Sequence, residues 1–413
     1  SDVDQIKAVF DALTAAMTAS TTPIDEKELR KLILAEMAKR KIDESDLSDS
    51  LKALMRSNQM VTLTIKQLSG VVTTTTTNAD FINRKLIQII LSDMEAKNNV
   101  YLYGGAGTGK TFIANEIAEL LGWYPITLNC NQYTSPLDIV GGQTTEGYQE
   151  GKLIQAWSNK VILSDGTPEE KKGVVLILDE LPKIDPNTAG ILNEALAKVK
   201  QYKINDITGE LIPPKIENGK SQKFELGNLL VIATGNVALN TIDPDYEANF
   251  KQDLSLQDRF IGSTYKVIID YDYEFNHVMK GTAFIWLFCV KLREAINDAR
   301  ATNQAFVSMR IMENLRATYK VYRETLYNAS PNSAIKKPKT VVDGLITFFD
   351  LFKPAPKQAI MNAVNFDAFK MIVEQKNKMP FDPATGMNFD TPSEIAEANK
   401  IIEDYNKKNK DII

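Results

Sequence analysis

Histidine is nearly absent: His277 is the only one in 413 residues. That excludes HExxH zinc sites, multi-histidine metal centres and most histidine-based acid–base chemistry, and His277 itself reads as structural. Cysteine is almost as scarce. Cys130 and Cys289 lie far apart in unrelated contexts, which fits neither a disulfide framework nor a zinc ribbon, so reduced thiols of a cytoplasmic protein are expected. Long hydrophobic runs are missing. The longest, Ala283 to Val290, is too short to span a bilayer and is closed by Lys291. The first residues, Ser-Asp-Val-Asp, carry neither the basic region nor the apolar core of a secretion signal. Excess positive charge is missing too. With 48 Lys and Arg against 53 Asp and Glu, the net charge is −5, so no global basic field draws the chain to nucleic acid or an anionic membrane.

What is present is ordinary globular composition. Apolar residues make up 44% and charged residues 24%, which argues against wholesale disorder and against a fibre. The length allows roughly two or three domains. The first seventy residues read as a helical module: Ile6, Val9, Phe10, Leu13 and Met17 recur at helical spacing, and two further helices carry Leu29, Leu32, Ile33 and Leu47, Leu51, Leu54, Met55. Met60 to Ile65 reads as a short strand. The five threonines at 73–77 disfavour helix and predict an extended linker or an edge strand.

From Asn78 helices alternate with strands. Phe81 to Met94 and Thr111 to Leu121 are predicted helical; Val100 to Tyr103, Pro125 to Asn129, Val174 to Leu178, Leu229 to Ala233 and Tyr265 to Ile269 are predicted strands. Continuous apolar strands between helices predict a doubly wound α/β domain with a buried parallel sheet. Beyond it the chain turns helical to about residue 328. A polar link at Pro331 to Thr340 follows, and a capping box at Thr391-Pro392-Ser393-Glu394 opens a C-terminal helix.

Three strand ends carry chemistry. Gly104-Gly105-Ala106-Gly107-Thr108-Gly109-Lys110-Thr111 matches GxxxxGK[ST] at every position, between a strand and a helix. Glycines let successive backbone N–H groups curl around phosphate oxygens, and the helix that follows adds its dipole. Lys110 is expected to reach the β- and γ-phosphates of ATP, and the Thr111 hydroxyl to bind Mg2+. Val174-Val175-Leu176-Ile177-Leu178 ends in Asp179-Glu180, two carboxylates at the carboxyl edge of the sheet, where ligands of such sheets bind. Asp179 is expected to hold Mg2+ through water, and Glu180 to polarise the attacking water. Asn236 follows the next strand, where an amide can orient that water.

Together these residues resemble the AAA+ ATPases and, within them, the MoxR group, including the ATPase subunit of cobaltochelatases. The resemblance covers roughly Asn78 to Glu324. It rests on the ordered set of Walker A at 104–111, Walker B at 174–180, Asn236 as sensor 1, Asp258-Arg259-Phe260 and Ser308-Met309-Arg310. Leu137-Asp138-Ile139-Val140-Gly141 resembles the group's DLxG element, and Glu150-Gly151-Lys152-Leu153 with Ala156 resembles its EGxL element. The resemblance implies a P-loop AAA+ core at 78–270 with a parallel sheet flanked by helices and a small helical lid at 271–330. The helical module at 1–70 and a mostly helical extension at 341–413 match no motif of the group.

By the same resemblance Arg259 is an arginine finger acting on a neighbouring subunit, Arg310 is sensor 2, and Gln143 to Tyr148 form a hairpin facing the pore of a hexamer. Lys183 stands where the group usually has arginine, and its role is open. Tyr202 to Gln222 reads either as a hairpin offered to substrate or partner or as a plain surface hairpin. The implied function is an ATP-hydrolysing homo-oligomeric ring that remodels a partner, with a von Willebrand factor A-type protein as the group's usual companion. A DNA-directed motor is a competing reading that the charge balance disfavours, and a nucleotide-dependent structural ring is another that the intact motifs disfavour.

Overall fold

The computed structural model describes residues 60–66, 72–78, 84–163, 165–198, 201–217, 220, 223–239, 241, 249–250, 252, 254–327, 338–379 and 390–410. The helices expected within residues 1–59 and most of the expected link at 331–340 lie outside the described residues. Met60–Lys66 is the expected strand. It pairs antiparallel with Val72–Asn78, so the threonine run is a strand rather than a linker.

Five strands build a parallel sheet: β1 (Val100–Tyr103), β2 (Tyr124–Asn129), β3 (Val174–Asp179), β4 (Leu229–Gly235) and β5 (Thr264–Lys266). Their order is β5-β1-β4-β3-β2. The central strands β3 and β4 are buried along their lengths up to Leu178 and Gly235, because helices cover both faces and every side chain must be apolar. Alternation along the strands sorts the two faces. Val175, Ile177, Leu230 and Ile232 pack with Ile87 and Ile90 of helix α1 (Arg84–Glu95) and Ile113 and Ile117 of α2 (Lys110–Leu121). Leu176, Leu178, Val231 and Ala233 face the other way, against Leu192 and Leu196 of α3 (Pro186–Lys198).

The chain leaves β1 and skips over the positions of β4 and β3 before it forms β2. A crevice therefore opens at the carboxyl ends of β1, β4 and β3, the place where sheets of this kind bind ligands. Small antiparallel hairpins decorate the sheet. Gly141–Thr144 pairs with Gly147–Glu150, which makes the hairpin expected at Gln143 to Tyr148. The segment from Tyr202 holds two: Lys203–Ile204 with Leu211–Ile212, and Lys215–Glu217 with Lys223–Glu225.

After β5 the described chain is helical. The apolar stretch that is too short for a membrane lies in α4 (Ala283–Asp298), with Ala283 to Val290 all buried. A helix that is apolar all round must be covered all round. Its cover comes from α5 (Met309–Tyr327) and from the C-terminal helices α6 (Val341–Phe349), α7 (Pro354–Ala363), α8 (Phe366–Lys378) and α9 (Pro392–Lys408). The helices between residues 271 and 327 and those beyond residue 340 thus share one hydrophobic core. Thr391 caps α9 by accepting from the Glu394 amide at 3.2 Å, as its capping box predicts.

Candidate functional site

The loop between β1 and α2 keeps the shape that its glycines permit. Gly109 stands at φ +91° as the cap of α2, and Gly107 at φ +75°. Gly107 also has no room for a side chain: a Cβ there would fall 2.5 Å from Ser308 Cβ and 3.2 Å from Ser308 Cα. The strip that leads into α5 therefore lies directly on the loop.

Lys110 is buried beneath the loop. Its ammonium donates to Gly104 O at 2.8 Å, Gly105 O at 2.9 Å and Asn236 Oδ1 at 3.3 Å. All three N–H donors thus have acceptors. Burial nevertheless pushes this ammonium down to about 8, against the opposing pull of Asp179 and Glu180. Tyr101 Oη donates to Val237 O at 2.6 Å and so fixes the turn after β4 that presents Asn236.

Asp179 ends β3 beside the threonine of the loop. Thr111 Oγ1 donates to its Oδ1 at 2.8 Å, and Thr234 Oγ1 donates to the same oxygen at 2.7 Å. Thr234 also accepts from the Glu180 amide at 3.0 Å. Glu180 itself adopts a left-handed backbone, φ +57°, rare for a residue with a side chain. Its carboxylate is ion-paired with Lys183, and Glu180 O accepts from the Lys183 amide at 2.9 Å. Among the described residues no group of three or more His, Cys, Asp and Glu could hold a metal by itself. The converging oxygens of Thr111 and Asp179 suit a small hard cation that takes its remaining ligands from water and phosphate. Cys130 sits beside this edge, but burial pushes its thiol up to about 12, so it is no nucleophile.

Gly104 to Thr111, Asp179, Glu180 and Asn236 therefore meet at one edge. Arg259 does not join them, and the Arg310 side chain makes no bond to them. Arg310 is exposed in the first turn of α5, two residues beyond Ser308, and among the described residues it makes no hydrogen bond or ion pair. Arg259 lies at the opposite end of the sheet. Its carbonyl accepts from Asn99, which immediately precedes β1, at 3.3 Å. Its Nε donates to Asn193 Oδ1 at 2.7 Å, and Asp258 lies 3.9 Å from its guanidinium. Sequence reasoning gave no role to Thr234 and left that of Lys183 open. Thr234 comes beside Asp179 because the residue before it, Ala233, pairs with Leu178, a strand pairing that no single segment of sequence gives.

Residues 99–260 match the family model described as AAA domain (dynein-related subfamily). The phosphate loop and four of the five strands lie within that match, and the sheet has the α/β fold of an AAA+ core. An uncharacterized protein of Staphylococcus saprophyticus is 27% identical over 141 residues, 33% of this chain and 50% of that protein. One of Staphylococcus epidermidis is 24% identical over 199 residues, 47% of this chain and 64% of that one. The chain thus spans about half to just under two thirds of the length of these curated relatives. Among solved structures, NtrX from Brucella abortus in complex with ATP aligns over 95% of this chain and 80% of its own, with 16% identity and a TM-score of 0.37. The matched segment takes in the whole phosphate edge, with Arg259 near its end.

Proposed function

We propose that this AAA domain binds ATP with Mg2+ and hydrolyses it, and that the chain works as a MoxR-like homo-oligomeric ring, hexameric by resemblance, that remodels a partner protein or complex. The observation that carries the reading is the linked set Lys110–Asn236 and Thr111–Asp179–Thr234–Glu180 at the carboxyl edge of one sheet. Lys110 and the loop amides bind the phosphates, and the ammonium exchanges its contacts with Gly104 O and Gly105 O for phosphate oxygens. Thr111 and Asp179 hold Mg2+, which supplies charge neutralisation across the phosphates when bound. Glu180 takes the proton of the attacking water, which requires its carboxylate to leave Lys183. Asn236 orients that water, and Arg310 reaches the γ-phosphate from the start of α5.

The MoxR assignment rests on the DLxG and EGxL elements that flank the hairpin at Gly141–Glu150. A protein partner, of the von Willebrand factor A type by resemblance, is favoured over DNA because the net charge is −5. Among the described residues no helix is long and apolar enough to cross a membrane, and a cytoplasmic ring accords with that and with two buried free thiols. The test is Glu180→Gln. It keeps the size and hydrogen bonds of the side chain but cannot take the proton, so ATP binding should persist while turnover stops. Native turnover by Glu180→Gln would overturn the catalytic assignment. The trapped complex would also retain the partner, and DNA-stimulated turnover with steep salt dependence would favour the DNA-directed reading instead.

A further inference from the structure

The C-terminal helix α9 carries a continuous set of contacts to the phosphate loop. Tyr405 stacks on Tyr271 with ring centroids 4.0 Å apart and planes inclined by 17°. On Tyr271 also rests the guanidinium of Arg293, 5.5 Å from the ring centroid. Arg293 is buried and held through all three nitrogens: its Nη atoms donate to both oxygens of the buried Glu274 at 2.7 and 2.6 Å, and its Nε donates to Val307 O at 2.8 Å. Val307 precedes Ser308, the residue seated where Gly107 lacks a side chain. The same groups enclose a cavity of about 450 Å³ whose lining includes Ala106, Thr108, Arg293, Phe306 and Tyr405.

The start of helix α9 is tied down on two sides. Asp390, just before it, accepts from the backbone amides of Gly281 at 3.0 Å and Ala283 at 2.9 Å. Glu394 in its first turn accepts from the buried Lys376 at 2.8 Å. The far end of the helix is thereby aimed at Tyr271, and the aromatic pair is where it meets the lid's buried arginine.

We infer that Tyr405 is a positioning residue for the nucleotide site: its ring fixes Tyr271 and Arg293, and Arg293 fixes Phe306 to Ser308 against the phosphate loop. The C-terminal region then sets how well the loop is shaped for phosphate and where Arg310 points. An arginine that donates to a carboxylate and to a backbone carbonyl at once has little freedom, so a shift of the ring beneath it passes to Val307 rather than dissipating. The inference rests on the nucleotide reading above only for its affinity readout.

The test compares Tyr405→Ala with Tyr405→Phe in the full chain. Two quantities are read: the affinity for ADP, and amide hydrogen exchange over 104–109 and 306–308 without nucleotide. Tyr405→Ala should weaken ADP binding roughly 3- to 30-fold and raise exchange in both segments. Tyr405→Phe keeps the aromatic face and should stay within about twofold of native. Ile402→Ala, on the same helix and buried in the lid core, should lower the melting temperature without either effect. Should Tyr405→Ala fail to fold, Tyr405→Leu retains the apolar bulk and loses only the ring. The proposal is overturned if affinity and exchange stay native in Tyr405→Ala, or if Ile402→Ala moves them as much. A native chain that bound no nucleotide would count against the function proposed above, and the exchange data would still decide the relay.

Discussion

Lys110 shows how one residue links burial, charge and ligand. Its ammonium sits under the loop with an acidity raised by burial, titrating near 8 instead of 10.5. Between those values the unfolded chain holds a proton that the folded chain lacks. Lys110 therefore lowers stability below pH 8, and that cost is relieved as pH rises toward 10.5. Phosphate reverses the preference because it favours the charged form, so ADP binding at pH 8 should take up roughly half a proton per site, and affinity should fall as pH rises further. Calorimetry in two buffers of different ionisation enthalpy measures the uptake, and a value of zero across pH 7 to 9 would refute the assignment. The motif made Lys110, Asp179 and Asn236 legible because each sits at a strand end with a fixed chemical task. Thr234 and the pairing of Lys183 with Glu180 were less so. Their roles depend on which strands are neighbours and on a left-handed turn at Glu180, neither of which a single segment encodes.

At the scale of elements, the sheet was legible from its apolar runs, and the hairpins beyond β3 were legible as an insertion though not as two units. What the sequence hides is contact between distant elements. The glycine pattern says that Gly107 must be small, but it does not say that Ser308 fills the space. Two glycines separate these reasons. Gly107→Ala puts a side chain into a left-handed position, at about 1–2 kcal/mol, and also pushes on the strip leading into α5. ADP affinity should fall about tenfold or more. Gly190 lies exposed within α3, and a Cβ at that position would meet no atom within 4 Å, so Gly190→Ala should stabilise the chain by about 0.5–1 kcal/mol. Denaturant melts and calorimetry on both variants read the two effects separately. If Gly107→Ala bound ADP like the native chain, the close contact between loop and α5 would not matter to the site.

For the whole molecule, one helix after residue 340 was legible from its capping box at Thr391 and the rest only as a mostly helical region, while the core they share with the helices before residue 328 was not legible. Periodicity tells which face is buried and not which helix covers it. The same scale bears on Arg259. Its backbone lies at the amino end of β1, beside Asn99, whereas the phosphate loop leaves the carboxyl end of that strand. Among the described residues its side chain pairs with Asn193 and Asp258, not with any residue of the phosphate edge. If Arg259 is the finger that the resemblance implies, from there it would serve a second copy of the chain, and specific activity should rise with protein concentration. Loss of such an arginine costs on the order of 10³–10⁵ in rate in other phosphoryl-transfer enzymes. Arg259→Ala should therefore bind ATP in each subunit and hydrolyse it poorly. Mixing it with Lys110→Ala is the sharper measurement, because a Lys110→Ala subunit still carries Arg259 and can complete the intact site of an Arg259→Ala neighbour. Some activity should return in the mixture when subunits fire independently. Native activity that held constant down to a demonstrated monomer would end the trans assignment, since each site would then be complete within one chain.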